Sequence, residues 1–547
     1  MTREETLNKL QREKFDLLVI GGGITGAGIA YDAAMRGIRV ALVEKGDFAC
    51  GTSSKTARMV HGGLRYLQQF QLGLVRQSVR EREILHRLAP RLIKPTAFTY
   101  PVYKRDKTSY FLVSLGMWLY DLLSFFRNYR LHRMLPSEEL KILEPQIKQD
   151  GLIGAAKYYD CLVDDARFTL EIIRSAYYFG ANVANYLKVT KLIKEFNRVT
   201  GAIINDMISG KEICVSSSVV VNATGVWADE IRLMDNLNEL NIIRANRGTH
   251  VVLPKSKLRI NSAVAFTGAD GKRAMYVVPW ADTCIAGTTD VDHEGDFNNV
   301  VASPEEVKFI IDSINLAFED VKIQLSDIIS TYAGLRPLLE NQAESAYMIS
   351  REHKIYTSSC GMITVAGGKL TTHRHMAQEV VDKVVKMLEK YSNGSGYLSS
   401  KTKDVPIAQQ RLDSETEKLS ELTLPLGLDS RSIQRLFCIY GPGYRHIIDL
   451  IQSNPKLGEK IVPDLPYLKA EVIYSVKYEM AMALEDIMVR RLHIFHEAQD
   501  QGLSAVQEIT SLVGSYLGWD NIEIERQLKL YKEKLDQSKQ YLIASKD

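Results

Sequence analysis

Gly21, Gly23, Gly26 and Glu44 form the first constellation in this chain that can do chemistry. They lie in LLVIGGGITGAGIAYDAAMRGIRVALVEKG, Leu17 to Gly46. This is a short apolar strand, a G-x-G-x-x-G turn, a helix from Ala27 to Arg36 stopped by Gly37, and a second apolar strand, Ile38 to Val43, that delivers Glu44. Gly21 permits the tight strand-to-helix turn, Gly23 lets backbone amides approach a pyrophosphate, and Gly26 lets helix and strand pack closely. The pyrophosphate then sits on the positive helix terminus. Glu44 is placed to accept hydrogen bonds from ribose hydroxyls, and its carboxylate would repel a 2′-phosphate, which disfavours NADP. A second close-approach turn, Asn222 to Gly225 in VVVNATGVWAD, follows another buried strand. It suits a ligand longer than a mononucleotide half, so FAD fits better than NAD. Thr52, Ser53 and Ser54 in GTSSK have two readings: hydroxyls along the ligand's phosphates, or a capping cluster.

Composition bounds what can position these residues. At 547 residues the chain is too long for one core and predicts two or three domains. Its 45% hydrophobic and 25% charged residues exclude a disordered scaffold. A net charge of +3 gives no overall basic field for nucleic acid. Six cysteines without a C-x-x-C pair predict reduced thiols in a cytoplasm, with no zinc site and no disulfide framework. No calcium-loop pattern occurs. The charged start MTREETLNKLQREK reads as a solvated helix rather than a signal peptide, and no stretch reaches the length of a membrane span.

Along the chain, α/β segments alternate with an antiparallel insert between about Arg247 and Tyr332, where HVVLP, AMYVVP and CIAGTTD are the strands. Past YSNGSGYLSS, a flexible linker by composition, the remainder is nearly all helical. The expected architecture is an α/β FAD-binding domain, Rossmann-like and of the glutathione-reductase/D-amino-acid-oxidase type, discontinuous over 14–85, 155–246 and 331–390. An antiparallel-sheet substrate domain takes 86–154 and 247–330, a linker 391–402, and an all-helical domain 403–547.

In order, GGGITGAG, GTSSK, HGGLRYL, DDAR, VVNATGVWAD, GTTD, AGLRPL, SRE and GGKLTTHR resemble the FAD-dependent glycerol-3-phosphate dehydrogenases of the quinone-linked, aerobic type. The likeness covers about residues 14 to 390 and continues more loosely through the C-terminal helices. It implies that the GTSSK segment lies along FAD, that His61, Gly62, Gly63 and Leu64 run beside the isoalloxazine, and that Val189 contacts the adenine through its backbone. Gly368, Lys369, Leu370 and Thr371 would surround the pyrimidine end. Ile24, Thr25, Lys45, Ala223, Thr224, Trp227, Gly334 and Arg336 complete the implied cofactor set.

The same resemblance implies oxidation of sn-glycerol 3-phosphate to dihydroxyacetone phosphate, with hydride passing from C2 to the flavin. A phosphate dianion needs several cationic donors, and Lys55, Arg336, Arg351 and Lys369 stand at the family's positions. Loss of the C2 hydroxyl proton needs a base, for which His250 in NRGTHVVLP is the candidate, its other reading being a structural strand histidine. Arg336 would stabilise the developing oxygen charge. His61 and His373 are weaker candidates. Lys55 stands where the family often has arginine, which exchanges a fork for a point charge. In MALEDIMVRRLHIF the Arg490 and Arg491 pair is kept, while Ala483 and Leu492 replace frequent threonines.

Family members pass electrons to a membrane quinone, whereas related oxidases use dioxygen and carry an additional insert absent from this sequence. YFLVSLGMWLYDLLSFF, Tyr110 to Phe126, is apolar, too short to span, and flanked by Lys104, Arg105, Lys107, Arg127, Arg130 and Arg133. It reads either as a core helix or as a contact with an anionic membrane surface at the inner face of the cell membrane. The other functions left open are a glycerol-3-phosphate oxidase, an amine oxidase of the same flavin fold, and a flavin-binding regulatory module without turnover. A homodimer is compatible with all of these.

Overall fold

The computed structural model describes residues 3–68, 70–340, 351–391, 396–407 and 426–542; part of the expected linker, 392–395, lies outside them. Its first sheet has eight strands built around the dinucleotide unit. Lys14–Ile20 runs parallel between Val40–Val43 and Glu212–Asn222, with Asn182–Ala184 beyond the one and Ile363–Gly367 beyond the other. These strands are covered on both faces, which is why LLVI, VALV and VVV are continuous apolar runs rather than alternations. The helix Ile24–Met35 is packed by the helices Asp165–Tyr178 and His373–Tyr391, and its residues are buried nearly all round. It begins at Ile24 rather than Ala27, because Gly23 is its N-cap and Gly26 sits in its first turn. Gly21 turns the chain at φ +111°, and a Cβ on Gly26 would lie 1.9 Å from Gly21 O. The N-terminal helix Arg3–Arg12 is not simply solvated: Leu10 is buried and Arg3 pairs with Asp206 at 2.6 Å.

The second sheet has ten strands, and every pairing except Ala263–Thr267 with Ile93–Tyr103 is antiparallel. The strand carrying His250, Ile243–Pro254, lies between Thr283–Gly287 and the strand carrying Arg336, Ser330–Leu339. Met59–Val60, Leu152–Val163 and Ser330–Leu339 all hydrogen-bond into this sheet. The sequence groups nearly all of their residues with the nucleotide segments, because alternation marks a strand without naming its partner.

The C-terminal region is helical and has two apolar cores of its own. It docks through buried ions. Arg490 Nε and Arg491 Nη1 donate to Asp47 Oδ2 at 2.6 and 2.8 Å, and Arg491 Nη2 donates to Oδ1 at 2.9 Å. Burial alone would raise the Asp47 carboxyl, but the two guanidiniums outweigh it and hold it below the ordinary carboxylate range. The DDAR motif serves the same interface. Arg167 Nη2 donates to Glu479 at 2.7 Å, and Asp164 lies 2.5 Å from His493 Nε2. Removing one partner of a buried pair costs about 3–5 kcal/mol, whereas an exposed pair is worth under about 1 kcal/mol. Arg491→Met should therefore clearly lower the thermal unfolding midpoint. Lys308→Met, which breaks an exposed pair with Asp312, should leave it nearly unmoved. Equal midpoints for the two variants would contradict this account of the interface.

Candidate active site

A cleft opens where the parallel strands meet the N-terminus of Ile24–Met35. Gly21, Gly23, Ile24 and Thr25 form its floor, Glu44, Lys45, Thr52 and Ser53 one side, and Ala223, Thr224, Gly225 and Trp227 the other. Glu44 is oriented by two backbone amides: Gly22 N donates to Oε2 at 2.7 Å and Gly46 N to Oε1 at 2.9 Å. Burial pushes its carboxyl up, and these amides oppose the rise. Ser53 Oγ accepts from Ile24 N at 2.9 Å and Thr52 Oγ1 donates to Leu335 O at 2.5 Å, so both hydroxyls fix loops even as their residues line the cleft. Ser54 does not line it; it faces a cavity beneath the C-terminal helices. Gly26 is spent on helix packing. The far end is apolar, formed by Leu187, Val189, Ile231 and Met234, as an adenine requires. Trp227 Nε1 is buried with no hydrogen-bond partner among the described residues, and Lys45 Nζ lies 3.8 Å above its ring. A helix N-terminus facing the cleft, a ribose acceptor and an orphaned donor on one wall fit a dinucleotide.

A second cavity shares Thr52, Thr56, Pro337 and Gly367 to Leu370 with the cleft. Lys55, Arg336, Arg351 and Lys369, scattered over more than three hundred positions of sequence, all line it, as do His61, Gly63, Gly334 and Thr371. Among the described residues Glu352 is the one acid on its wall. Gly62 and Leu64 lie behind the wall: Gly62 N donates to Asp160 Oδ1 at 3.0 Å, and Leu64 packs in an apolar cluster.

Missing side chains make room for the functional ones. Gly248 is diagonal to Arg336 across the strand pair, and a Cβ there would fall 2.3 Å from Arg336 Nη2. A Cβ on Gly287 would fall 2.4 Å from His250 Cδ2, and one on Gly334 would fall 2.8 Å from Lys55 Cβ. Arg336 is anchored: Nη1 donates to Asn246 Oδ1 at 2.6 Å, and Nη2 to Thr288 Oγ1 at 2.9 Å and Thr289 O at 3.1 Å. Its terminal nitrogens are thus committed to protein, and what it offers the cavity is chiefly charge. Lys369 Nζ sits 3.8 Å over the Tyr66 ring. Burial, reinforced by Lys534 and partly offset by Glu485, lowers the Lys55 ammonium to about 8.

His250 is 3% exposed, and neither ring nitrogen has a hydrogen-bond partner among the described residues. Burial first, then Arg336 and Arg58, lower it to about 3, so the ring is neutral at physiological pH. His373 instead sits behind the site, with Nδ1 2.8 Å from Leu370 O and its ring edge-on to Phe168. Sequence reasoning passes over Tyr332, Tyr66 and His496, whose only signal is the cross-strand or interdomain partner. Among the described residues no His, Cys, Asp and Glu cluster could hold a metal.

The family described as "FAD dependent oxidoreductase" matches residues 16–381, and "C-terminal domain of alpha-glycerophosphate oxidase" matches 400–524. A glycerol-3-phosphate dehydrogenase of Synechocystis sp. is 36% identical over 545 residues, covering 97% of this chain and 98% of that protein. An aerobic glycerol-3-phosphate dehydrogenase of Staphylococcus haemolyticus is 35% identical, covering 90% and 89%. The solved structure of the glycerol-3-phosphate dehydrogenase from Bacillus halodurans complexed with FAD superposes with a TM-score of 0.82 at 27% identity, covering 98% of this chain and 97% of that one. With a dinucleotide cleft opening onto a cation-lined cavity and these near full-length likenesses, the chain belongs to the FAD-dependent glycerol-3-phosphate dehydrogenase family.

Proposed function

We propose that this protein oxidises sn-glycerol 3-phosphate to dihydroxyacetone phosphate and passes the electrons to a quinone at an anionic membrane surface. The observation that carries the reading is the shared wall at Gly367 to Leu370, which joins the dinucleotide cleft to a cavity bearing four cations and His250, whose ring nitrogens have no hydrogen-bond partner among the described residues. Bound in the cleft, FAD supplies the acceptor for a hydride leaving the substrate. Lys55, Arg351 and Lys369 bind the phosphate dianion. His250 takes the C2 hydroxyl proton on a ring nitrogen that has no hydrogen bond to break among the described residues. The charge of Arg336, fixed by Asn246 and Thr288, stabilises the oxygen as it becomes a carbonyl.

The helix Tyr110–Leu123 supports the membrane acceptor. Phe111, Leu112, Leu115, Trp118 and Leu122 are each more than half exposed, as are Phe125 and Phe126 just beyond it. Only Val113, Met117, Tyr120 and Asp121 of the helix are buried. The residues that flank this apolar face, Lys104, Arg105, Lys107, Arg127, Arg130 and Arg133, are all exposed. Apolar side chains ringed by cations suit an interfacial helix on anionic lipid. No described helix is long and apolar enough to cross a membrane.

Anaerobic addition of sn-glycerol 3-phosphate should bleach the bound flavin, while glycerol and the opposite enantiomer should not; a spectrum that stays oxidised removes the substrate assignment. His250→Asn should slow this bleaching by about 10²–10⁴-fold. Lys369→Met should instead weaken substrate binding by roughly 10–100-fold, the loss of one charge-assisted hydrogen bond. The protein should pellet with phosphatidylglycerol vesicles at low salt and lose this on Trp118→Glu. Stoichiometric peroxide during turnover in air would shift the acceptor to dioxygen.

A further inference from the structure

Among the described residues none gives His250 what usually orients a proton-accepting histidine, a hydrogen bond to the ring nitrogen that does not face the substrate. Its ring plane must therefore be set by packing. Two cross-strand neighbours do this. Tyr332 is directly opposite His250 in the register with Ser330–Leu339, and the rings stack at 4.8 Å between centroids with 16° between planes. Gly287 is opposite on the other side, and leaves the imidazole a slot that any side chain would fill.

Tyr332 is itself held by two different parts of the chain. Its hydroxyl donates to Thr56 O at 2.9 Å, and its ring meets that of His496 edge-on at 5.4 Å. His496, in the short helix Ile494–Glu497, has Nδ1 3.0 Å from Ser330 Oγ. The next residue, Thr331, donates through Oγ1 to Ser538 O at 2.7 Å. Three consecutive residues of one strand, Ser330, Thr331 and Tyr332, are thus fixed from the C-terminal region. The charged groups acting on His250 are Arg336, from the strand of Tyr332, and Arg58, whose guanidinium lies over Trp280.

We propose that Tyr332 is a positioning residue whose ring clamps the His250 imidazole in the plane from which it reaches the substrate, and that His496 of the C-terminal region holds this clamp. The inference rests on His250 being the proton acceptor of the reaction proposed above.

The test uses the FAD-loaded full chain, with flavin reduction by sn-glycerol 3-phosphate followed anaerobically. A small misplacement of a reacting group costs about a hundredfold. Tyr332→Leu should therefore lower the limiting reduction rate about 10–100-fold while the substrate concentration at half-maximal rate stays within about threefold. Tyr332→Phe keeps the stack and should stay within about threefold of the parent. His496→Leu should fall in between. A second readout needs no turnover: with ring-labelled histidine, the His250 resonance, identified by its loss in His250→Asn, should titrate near pH 3 in the parent. In Tyr332→Leu, where water reaches the ring, it should move up towards the ordinary value of about 6.5.

An unchanged rate and titration in Tyr332→Leu would overturn the proposal. So would a loss in Tyr332→Phe equal to that in Tyr332→Leu, which would assign the effect to the Thr56 hydrogen bond. If Tyr332→Leu does not fold, Gly287→Ala displaces the imidazole from its other face with Tyr332 intact. The same fall in limiting rate there supports packing control, and no fall contradicts it. Failure of the parent to be reduced at all would refute the substrate reading, while the histidine titration would still decide the clamp.

Discussion

The strand Ile243–Pro254 is the constraint on which the site depends, because it is paired on both edges and a glycine, on a neighbour or on the strand itself, stands where the facing side chain needs space. Opposite or diagonal side chains on one face of a sheet stand about 5–8 Å apart, too close for two large groups unless they stack or one is missing. Here both solutions occur: His250 stacks on Tyr332 and lies over Gly287, while Arg336 lies over Gly248. A register slip of one residue in Ile243–Pro254 would turn His250 to the opposite face, away from Arg336 on the neighbouring strand. The chemistry is therefore a property of the pairing as much as of the side chains.

The two sheets meet where the cation-lined cavity opens into the dinucleotide cleft, and Gly367 to Leu370 belongs to both walls. Ile363–Gly367 ends the parallel sheet at this point, so the chain after it lies beyond the carboxyl ends of the strands. Ligands of open α/β sheets bind there, because helix termini and strand-end turns leave unpaired amides. The antiparallel sheet contributes Arg336 and the neutral ring of His250, while Lys55, Arg351 and Lys369 reach the cavity from loops.

The C-terminal helical region is bound to this core by charge rather than by apolar area alone. Asp47, Asp164 and Arg167 of the nucleotide-binding half each meet a partner from the C-terminal segment 479–493. Buried ion pairs gain little net stability over apolar packing, but a wrong docking would strand their charges at high cost. The cluster therefore specifies one docked geometry, and that geometry brings His496 and Ser538 against the Tyr332 strand.

The sequence by itself determined the dinucleotide unit, since local spacing of Gly21, Gly23, Gly26 and Glu44 encodes a local turn whose physics needs no distant partner. It also marked the basic flanks of the Tyr110 to Phe126 segment and the glycine-flanked cations, because composition and order are visible without a fold. Tertiary structure alone decided which sheet Ser330–Leu339 joins, that Ser53 caps a helix while Ser54 faces away, and that the Tyr110–Leu123 helix exposes its apolar side. It also decided why Arg490 and Arg491 are adjacent, since their shared carboxylate, Asp47, is more than four hundred residues distant. Such facts depend on contacts between segments far apart in the chain, and a one-dimensional pattern carries periodicity and residue type but not the identity of the neighbour.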